Sequence, residues 1–178
     1  MTIANPCAMA TSIPGFTLRP ATADDAGLIL AFIEELAVYE KLAHEVVATE
    51  PMLRENLFGD SAGAEAVIAE FESRPVGYTL FFPNFSTFLG RAGIYIEDIY
   101  IQPAFRGRGF GRTILARLAA LVKERGGGRL EWSVLDWNVP AIEFYRSIGA
   151  APLEGWLPQR LSGTALDRLA DEFGGPGR

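Results

Sequence analysis

Apolar residues recur along the chain with two periods, one typical of strands and one typical of helices. Alternating or β-branched runs predict five strands, at 16–19, 66–71, 76–82, 94–101 and 130–135. Apolar positions at helical spacing predict five helices, which begin after Thr22, Thr49, the glycine run at 107–111, Asn138 and Ser162. A further strand at Trp156–Leu161 is expected only at a sheet edge, because Pro158 lacks an N–H donor. This mixture of strands and helices places the chain in the α/β class.

Two segments that connect predicted strands have a composition typical of turns or loops. The sequence Glu72-Ser73-Arg74-Pro75 separates two β-rich runs and predicts an antiparallel hairpin. Residues 83–93 are rich in proline, glycine and aromatic side chains, so a loop is expected before the strand at 94–101.

The ends of the chain lack this periodicity. Residues 1–15 mix Ala, Thr, Ser and Pro, which predicts a mobile leader, and residues 174–178 predict a flexible tail. The chain has 178 residues, of which 49% are hydrophobic, enough for one core. A single domain over 16–173 is therefore expected.

Charge and composition exclude several function classes. The net charge of −6 argues against nucleic acid as a partner and favours cationic ligands. One cysteine, Cys7, excludes a disulfide framework, and one histidine, His44, excludes a histidine-based metal site. A metal site built only from carboxylates stays open, but the chain has no EF-hand spacing and no metal is expected. No apolar run approaches membrane-spanning length, so a cytoplasmic protein without membrane contact is expected.

The glycine-rich segment before the third long helix predicts an anion site. Glycines at 107, 109 and 111 let the backbone adopt positive φ, and the first N–H groups of the following helix point at a ligand. Arg106 and Arg108 add positive charge, so a pyrophosphate fits. Arg112 and Thr113 after the last glycine fit neither a Walker A loop nor a dinucleotide fingerprint. A glycine-rich turn without a ligand is the alternative.

The spacing Arg106-x-x-Gly109-x-Gly111 resembles the pyrophosphate loop of the GNAT superfamily of acyl-CoA-dependent acetyltransferases. The order of elements also resembles the GNAT fold, a mixed central β-sheet flanked by α-helices, over about Phe16 to Ala170. Within the superfamily the chain resembles the spermidine/spermine, or diamine, acetyltransferases. The motifs that carry this likeness are the loop, Tyr39-Glu40-Lys41, Tyr95-Ile96-Glu97-Asp98, Trp137-Asn138-x-Pro140 and Phe144-Tyr145-Arg146-x-x-Gly149-Ala150.

The resemblance implies an enzyme that uses acetyl-CoA as co-substrate, and it implies which residues hold it. The cofactor-binding positions are Ile99, Tyr100, Ile101, Arg106, Gly107, Arg108, Gly109, Phe110, Gly111, Asn138 and Tyr145. A distortion of the strand that carries Glu97 and Asp98 is also implied, which would free backbone N–H groups for the thioester carbonyl.

Two residues are candidates for proton transfer. The resemblance assigns Tyr145 as the general acid, and a phenol with a pKa near 10 can protonate a thiolate. Glu97 is the candidate base, acting through water on a substrate ammonium. The alternatives are a core tyrosine beside Phe144, and a Glu97–Asp98 pair with one acid bound to an arginine and the other solvated at a sheet edge.

The acceptor is expected to be a small amine with a second cationic group, because the candidate substrate site holds several acids. The substrate-binding positions are Tyr39, Glu40, Glu97, Asp98, Glu154 and Trp156. A polyamine or diamine is the first expectation and thialysine or another lysine-like amino acid is the alternative, since Phe88 and Val38 depart from the animal diamine enzymes. The same residues would also fit a protein amine as acceptor, or a non-catalytic acyl-CoA-binding module. The resemblance further implies a homodimer, with Trp156 near its interface.

Overall fold

The computed structural model describes residues 8–174, and one mixed sheet organises most of them. Its strands pair in chain order: β1 (Met9–Ala10), β2 (Phe16–Pro20), β3 (Glu65–Phe71), β4 (Arg74–Ser86), β5 (Arg91–Ile101) and β6 (Leu130–Trp132). The α-helices are α1 (Ala26–Glu40), α2 (Glu50–Phe58), α3 (Phe110–Glu124), α4 (Val139–Ser147) and α5 (Gly163–Gly174). Neighbouring strands are antiparallel except β5 and β6, which are parallel and joined through α3. The predicted α/β class with a mixed sheet is confirmed.

The core forms where α1 lies on the sheet. Ile29 and Phe32 of α1 pack with Ile68, Tyr78 and Tyr100, all fully or almost fully buried. Residues that pair directly across antiparallel strands share a face of the sheet. The pairs Tyr78–Tyr100 and Leu80–Asp98 therefore share the α1 face, which brings the end of α1 close to the middle of β5.

The described chain divides into two compact units. The first ends at Leu135 and contains the sheet with α1, α2 and α3, and the second begins at Asp136 and contains α4 and α5. In the part of the chain that the structure describes, no helix has the length and apolar character needed to cross a membrane. The same residues contain no group of His, Cys, Asp and Glu side chains arranged to hold a metal ion.

The hairpin prediction is confirmed, and the loop predicted at 83–93 is shorter, with only residues 87–90 forming the turn between β4 and β5. Glu72 and Ser73 both have left-handed φ, 51° and 63°, the geometry of a tight turn between twisted strands. Residues 83–86 continue β4 and residues 91–93 belong to β5. Pro83 is tolerated because β3 stops opposite Phe81, so the β3-facing side of β4 has no ladder bond to lose there.

The ends of the chain differ from expectation in two places. Met9 and Ala10 pair with Leu18 and Thr17, so a strand forms where the sequence predicts a leader, while residues 1–7 and 175–178 lie outside the described residues. The expected strand at 156–161 is wrong, because these residues are exposed and pair with no described strand. An isolated run interrupted by proline has no ladder to stabilise it.

An ion-pair network fastens β2 to the start of α1. Arg19 donates to both oxygens of Asp25 at 2.7 and 2.8 Å and to Glu70 at 2.9 Å. Asp25 also accepts from the Thr22 N–H, which closes the predicted capping box. The Arg19 guanidinium holds the pKa of Asp25 below its usual range, against the effect of burial.

Arg19→Met is expected to lower the free energy of unfolding by about 2–3 kcal/mol, because it leaves two partly buried carboxylates without their cation. Since the pKa of Asp25 is lowered in the folded state, its contribution is present above the ordinary carboxyl pKa and is lost as pH falls through the lowered value. Urea melts from pH 7 to 3 should therefore show a shallower acid loss in the variant. Arg54→Met, which breaks an exposed pair with Glu50, is the control and should cost less than about 0.5 kcal/mol; equal losses would contradict the prediction.

Candidate active site

A bulge in β5 organises the acidic part of the site. Leu80 pairs with Asp98 and Phe81 pairs with Ile96, so Glu97 is the extra residue between them. The distortion expected in this strand is therefore confirmed, and it lies at the acid pair. A bulge changes the side-chain alternation of a strand. Ile96 and Asp98, two residues apart, consequently lie on opposite faces, and Glu97 is exposed.

Asp98 is held by two consecutive residues of β4. The Tyr78 hydroxyl donates to Asp98 Oδ2 at 2.6 Å, and the Thr79 hydroxyl donates to the Asp98 carbonyl oxygen at 2.8 Å. Both donors are almost completely buried. The two hydrogen bonds thus fix both the Asp98 carboxylate and the backbone beside the bulge.

Burial and neighbouring negative charge shape the electrostatics here. Burial raises the pKa of Asp98, and the hydrogen bond from Tyr78 opposes that rise. The pKa of Glu40, at the end of α1, is raised by burial and by the charge of Asp98. The pKa of Tyr78 lies far above its usual value because of burial and the surrounding carboxylates of Asp98, Glu40 and Glu97. A cation bound among these groups would relieve their repulsion.

The geometry speaks against the structural alternative for the acid pair. An arginine partner would lower the pKa of Asp98, whereas its pKa is raised. Instead, the Asp98 carboxylate accepts a hydrogen bond from the Tyr78 hydroxyl on β4. The acids therefore form a cation-attracting cluster, defined here as Glu40, Glu97 and Asp98.

Arg106 connects the glycine-rich loop to the end of α1. Its Nε donates to the Ile101 carbonyl oxygen at 2.8 Å, and its guanidinium lies 4.5 Å from the ring centroid of Tyr39 and 5.6 Å from that of Tyr100. The Tyr100 hydroxyl in turn donates to Glu35 at 2.9 Å. In this structure Arg106 secures the loop against α1, next to Glu40, a role that its place in the motif does not reveal.

The glycine-rich loop has the backbone needed for a cradle. Gly107 and Gly109 have φ of 75° and 82°, and Gly109 is the N-cap of α3. Gly111 lies within the first turn of α3 without positive φ, so the expectation for that glycine is wrong. A Cβ on Gly107 or Gly111 would meet no protein atom within 4 Å, which leaves open space at both positions.

The side chains of this loop are less available to an anionic ligand than its backbone N–H groups. Phe110 is buried and stacks on Phe16 with 4.0 Å between ring centroids, so only its main chain is available to a ligand. The Arg108 guanidinium lies over the rings of Phe71 and Phe105. The first N–H groups of a helix lack intrahelical acceptors. The N-terminal N–H groups of α3 therefore suit an anion such as the pyrophosphate of acetyl-CoA.

The edge of β5 supports the other predicted cofactor contacts. The parallel pairing of β5 with β6 covers residues 94–96 and stops at Trp132. Beyond that point the β6-facing edge of residues 97–101 pairs with no strand of the described chain. Ile99, Tyr100 and Ile101 lie on this stretch. An extended amide-containing arm can add to such an edge through main-chain hydrogen bonds.

The remaining predicted site residues belong to the second unit. Asn138 caps α4 by accepting from the Ala141 N–H at 3.4 Å, as predicted. Tyr145 is half-buried on α4 and its ring lies 5.4 Å from that of Phe144. Glu154 and Trp156 are exposed. The roles of these four residues at the site, and the homodimer expected at Trp156, stay predictions.

Sequence reasoning missed Tyr78, Thr79 and Glu35. Tyr78 and Thr79 stand in a β-rich run that predicts core residues, and their hydroxyls reach Asp98 across the β4–β5 pairing. The only signal in the sequence was the presence of hydroxyls in an otherwise apolar strand, since buried hydroxyls require partners.

Comparisons with known proteins agree with this geometry. The acetyltransferase (GNAT) family model matches residues 30–150. Thialysine N-epsilon-acetyltransferase of Bos taurus is 40% identical over 164 residues, covering 86% of this chain and 96% of that protein. L-ornithine N5-acetyltransferase of Arabidopsis thaliana is 32% identical over 197 residues, covering 85% and 86%. A solved integron cassette protein from the mobile metagenome of V. cholerae shares the fold, with a TM-score of 0.75, 22% identity and coverage of 88% and 98%.

Proposed function

Because this chain belongs to the GNAT family of acetyltransferases, as its glycine-rich loop predicts, we propose that it acetylates the terminal side-chain amine of a small amino acid. Thialysine is the proposed acceptor, ahead of polyamines. The names of its relatives support an amino acid with a terminal amine. The observation that carries the proposal is the cation-attracting cluster at the β5 bulge, where Glu40 and Asp98 both have raised pKa values.

The chain's own residues fit acetyl-CoA, which would supply the activated acetyl group. The N-terminal N–H groups of α3 and the open backbone at Gly107 and Gly111 would hold its pyrophosphate. The edge of β5 at residues 99–101 would hold its pantetheine arm. Tyr145 would protonate the departing thiolate.

Asp98 would bind the acceptor's ammonium group and Glu97 would remove its proton. An alkylammonium ion must lose a proton before it can act as a nucleophile. Asp98 is fixed by Tyr78 and Thr79, so it is suited to holding an ammonium group in place. Glu97 is exposed on the bulge, where its carboxylate can accept the amine's proton through water and pass it to solvent.

A panel of amines tests the acceptor. Specificity constants are measured by thiol release from acetyl-CoA with thialysine, lysine, spermidine and a neutral-tailed monoamine. Thialysine should exceed spermidine by at least about tenfold, and the monoamine should be poorest, because it offers one charge to several carboxylates. Asp98→Asn should reduce the preference for thialysine over the monoamine by about tenfold or more.

Glu34→Gln is the matched control, because it removes one exposed carboxylate from the same helix as Glu40. It should leave the order of the four amines unchanged. A spermidine constant equal to or above that of thialysine would restore the polyamine as acceptor. Acetyl-CoA binding without thiol release to any amine would favour a non-catalytic binding module.

A further inference from the structure

Tyr78 is a completely buried residue whose hydroxyl points at the Asp98 carboxylate. Its ring packs parallel to Phe32 of α1, with 5.8 Å between centroids, and is closed off from solvent. Its hydroxyl donates to Asp98 Oδ2 at 2.6 Å. A short hydrogen bond to a carboxylate inside an apolar core is costly to build unless the fold gains something specific from it.

The contact depends on the β5 bulge. With an uninterrupted register from the Phe81–Ile96 pair, Asp98 would lie opposite Thr79, on the other face of the sheet from Tyr78. The extra residue, Glu97, moves Asp98 opposite Leu80 instead. Asp98 and Tyr78 then become diagonal neighbours on the α1 face, within reach of one another.

We propose that Tyr78 is a positioning residue for the acceptor: its hydroxyl occupies one carboxylate oxygen of Asp98 and turns the other toward the acceptor's ammonium group. This inference rests on the proposed function. Since the pKa of Tyr78 lies far above its usual value, the phenol stays protonated and remains a donor at any working pH. The carboxylate therefore keeps one orientation and presents one oxygen for a charge-assisted hydrogen bond.

The same hydrogen bond also influences the pKa of Asp98. Asp98 is surrounded by Tyr78 from β4, Glu40 from α1, and Glu97 and Tyr100 from β5. Burial raises its pKa and the Tyr78 hydroxyl lowers it. Because only the ionised carboxylate holds an ammonium ion, kcat/KM should fall as pH falls through the pKa of Asp98. Loss of the hydroxyl should move this acid limb to higher pH.

Tyr78→Phe tests the proposal, because phenylalanine keeps the ring in the core and removes only the hydroxyl. With the best acceptor of the amine panel, KM should rise by about tenfold or more while kcat stays within about threefold. Tyr95→Phe is the matched control: it removes a hydroxyl from β5 that pairs with Ser133 at 2.7 Å. The control should keep the parental KM and pH profile, and thermal melts should show both variants folded.

A double-mutant cycle separates positioning from packing. In the Asp98→Asn background, Tyr78→Phe should change KM by less than about twofold, because the two residues act on the ammonium as one unit. Additive effects, or a parental KM and acid limb in Tyr78→Phe alone, would overturn the inference and leave the proposed function standing. Failure of the parent enzyme to acetylate any amine of the panel would overturn both.

Discussion

Gly109→Val is expected to abolish measurable acetyl-CoA binding while the protein stays folded. Gly109 has φ of 82° at the N-cap of α3, and a Cβ there would meet only the tip of Ile13 at 3.4 Å. The folded chain has space for the side chain, but a β-branched residue strains this left-handed backbone. Because the proposed N–H contacts to the pyrophosphate depend on the same turn, the Kd measured by calorimetry should rise at least about a hundredfold.

Gly126→Val is the control for backbone strain alone. Gly126 ends the same helix, has φ of 69°, and is also surrounded by open space. Both variants should lose similar stability, about 1–3 kcal/mol, and only Gly109→Val should lose acetyl-CoA. Unchanged acetyl-CoA affinity in a folded Gly109→Val protein would remove the anion-cradle interpretation and leave a glycine-rich turn.

The loop was predictable because its information is local. Its signals all lie within 94–124: the glycine spacing, the preceding strand and the following amphipathic helix. Each of them is a pattern among residues that are close together in the chain. The conformation of Gly111 and the contacts of Arg106 could not be predicted in this way. The Arg106 contacts depend on Tyr39, about 70 residues earlier in the chain, which only the folded sheet brings to the loop.

The acid pair shows a different limit. Through the family resemblance, the sequence implied a distortion in the strand that carries Glu97 and Asp98, and the distortion lies in that strand. The sequence carried no sign that Asp98 contacts Tyr78, because this pairing follows from a one-residue shift in register between β4 and β5. Register is decided by the summed packing of both faces, and a single residue's shift changes every contact beyond it.

The errors in the bounds of the 83–93 loop and in the strand at 156–161 have a common physical cause. Proline and glycine predict a break in a strand when all sheet neighbours are unknown. Pro83 is compatible with β4 because β3 has ended, whereas Pro158 lies in a run that no described strand accompanies. Proline therefore lies inside a strand at position 83 and outside any described strand at position 158. Only the tertiary pairing of the strands distinguishes the two cases.

Tyr145→Phe is expected to lower kcat by about a hundredfold or more with little change in acetyl-CoA affinity. The substitution removes one hydroxyl from α4 and keeps the ring that lies beside Phe144. In this variant the departing thiolate receives no proton from residue 145, so the loss should appear in kcat. Stopped-flow thiol release gives kcat, and calorimetry gives the Kd of acetyl-CoA.

The pH dependence distinguishes an acid from a packing residue. A phenol that donates a proton loses this ability as pH rises toward its pKa, so the parent's kcat should decline at alkaline pH. In Tyr145→Phe that alkaline decline should disappear along with most of the turnover, whereas Tyr95→Phe should retain both. A kcat within threefold of the parent, with the same alkaline limb, would reduce Tyr145 to a half-buried aromatic of α4 and would require another proton donor for the thiolate.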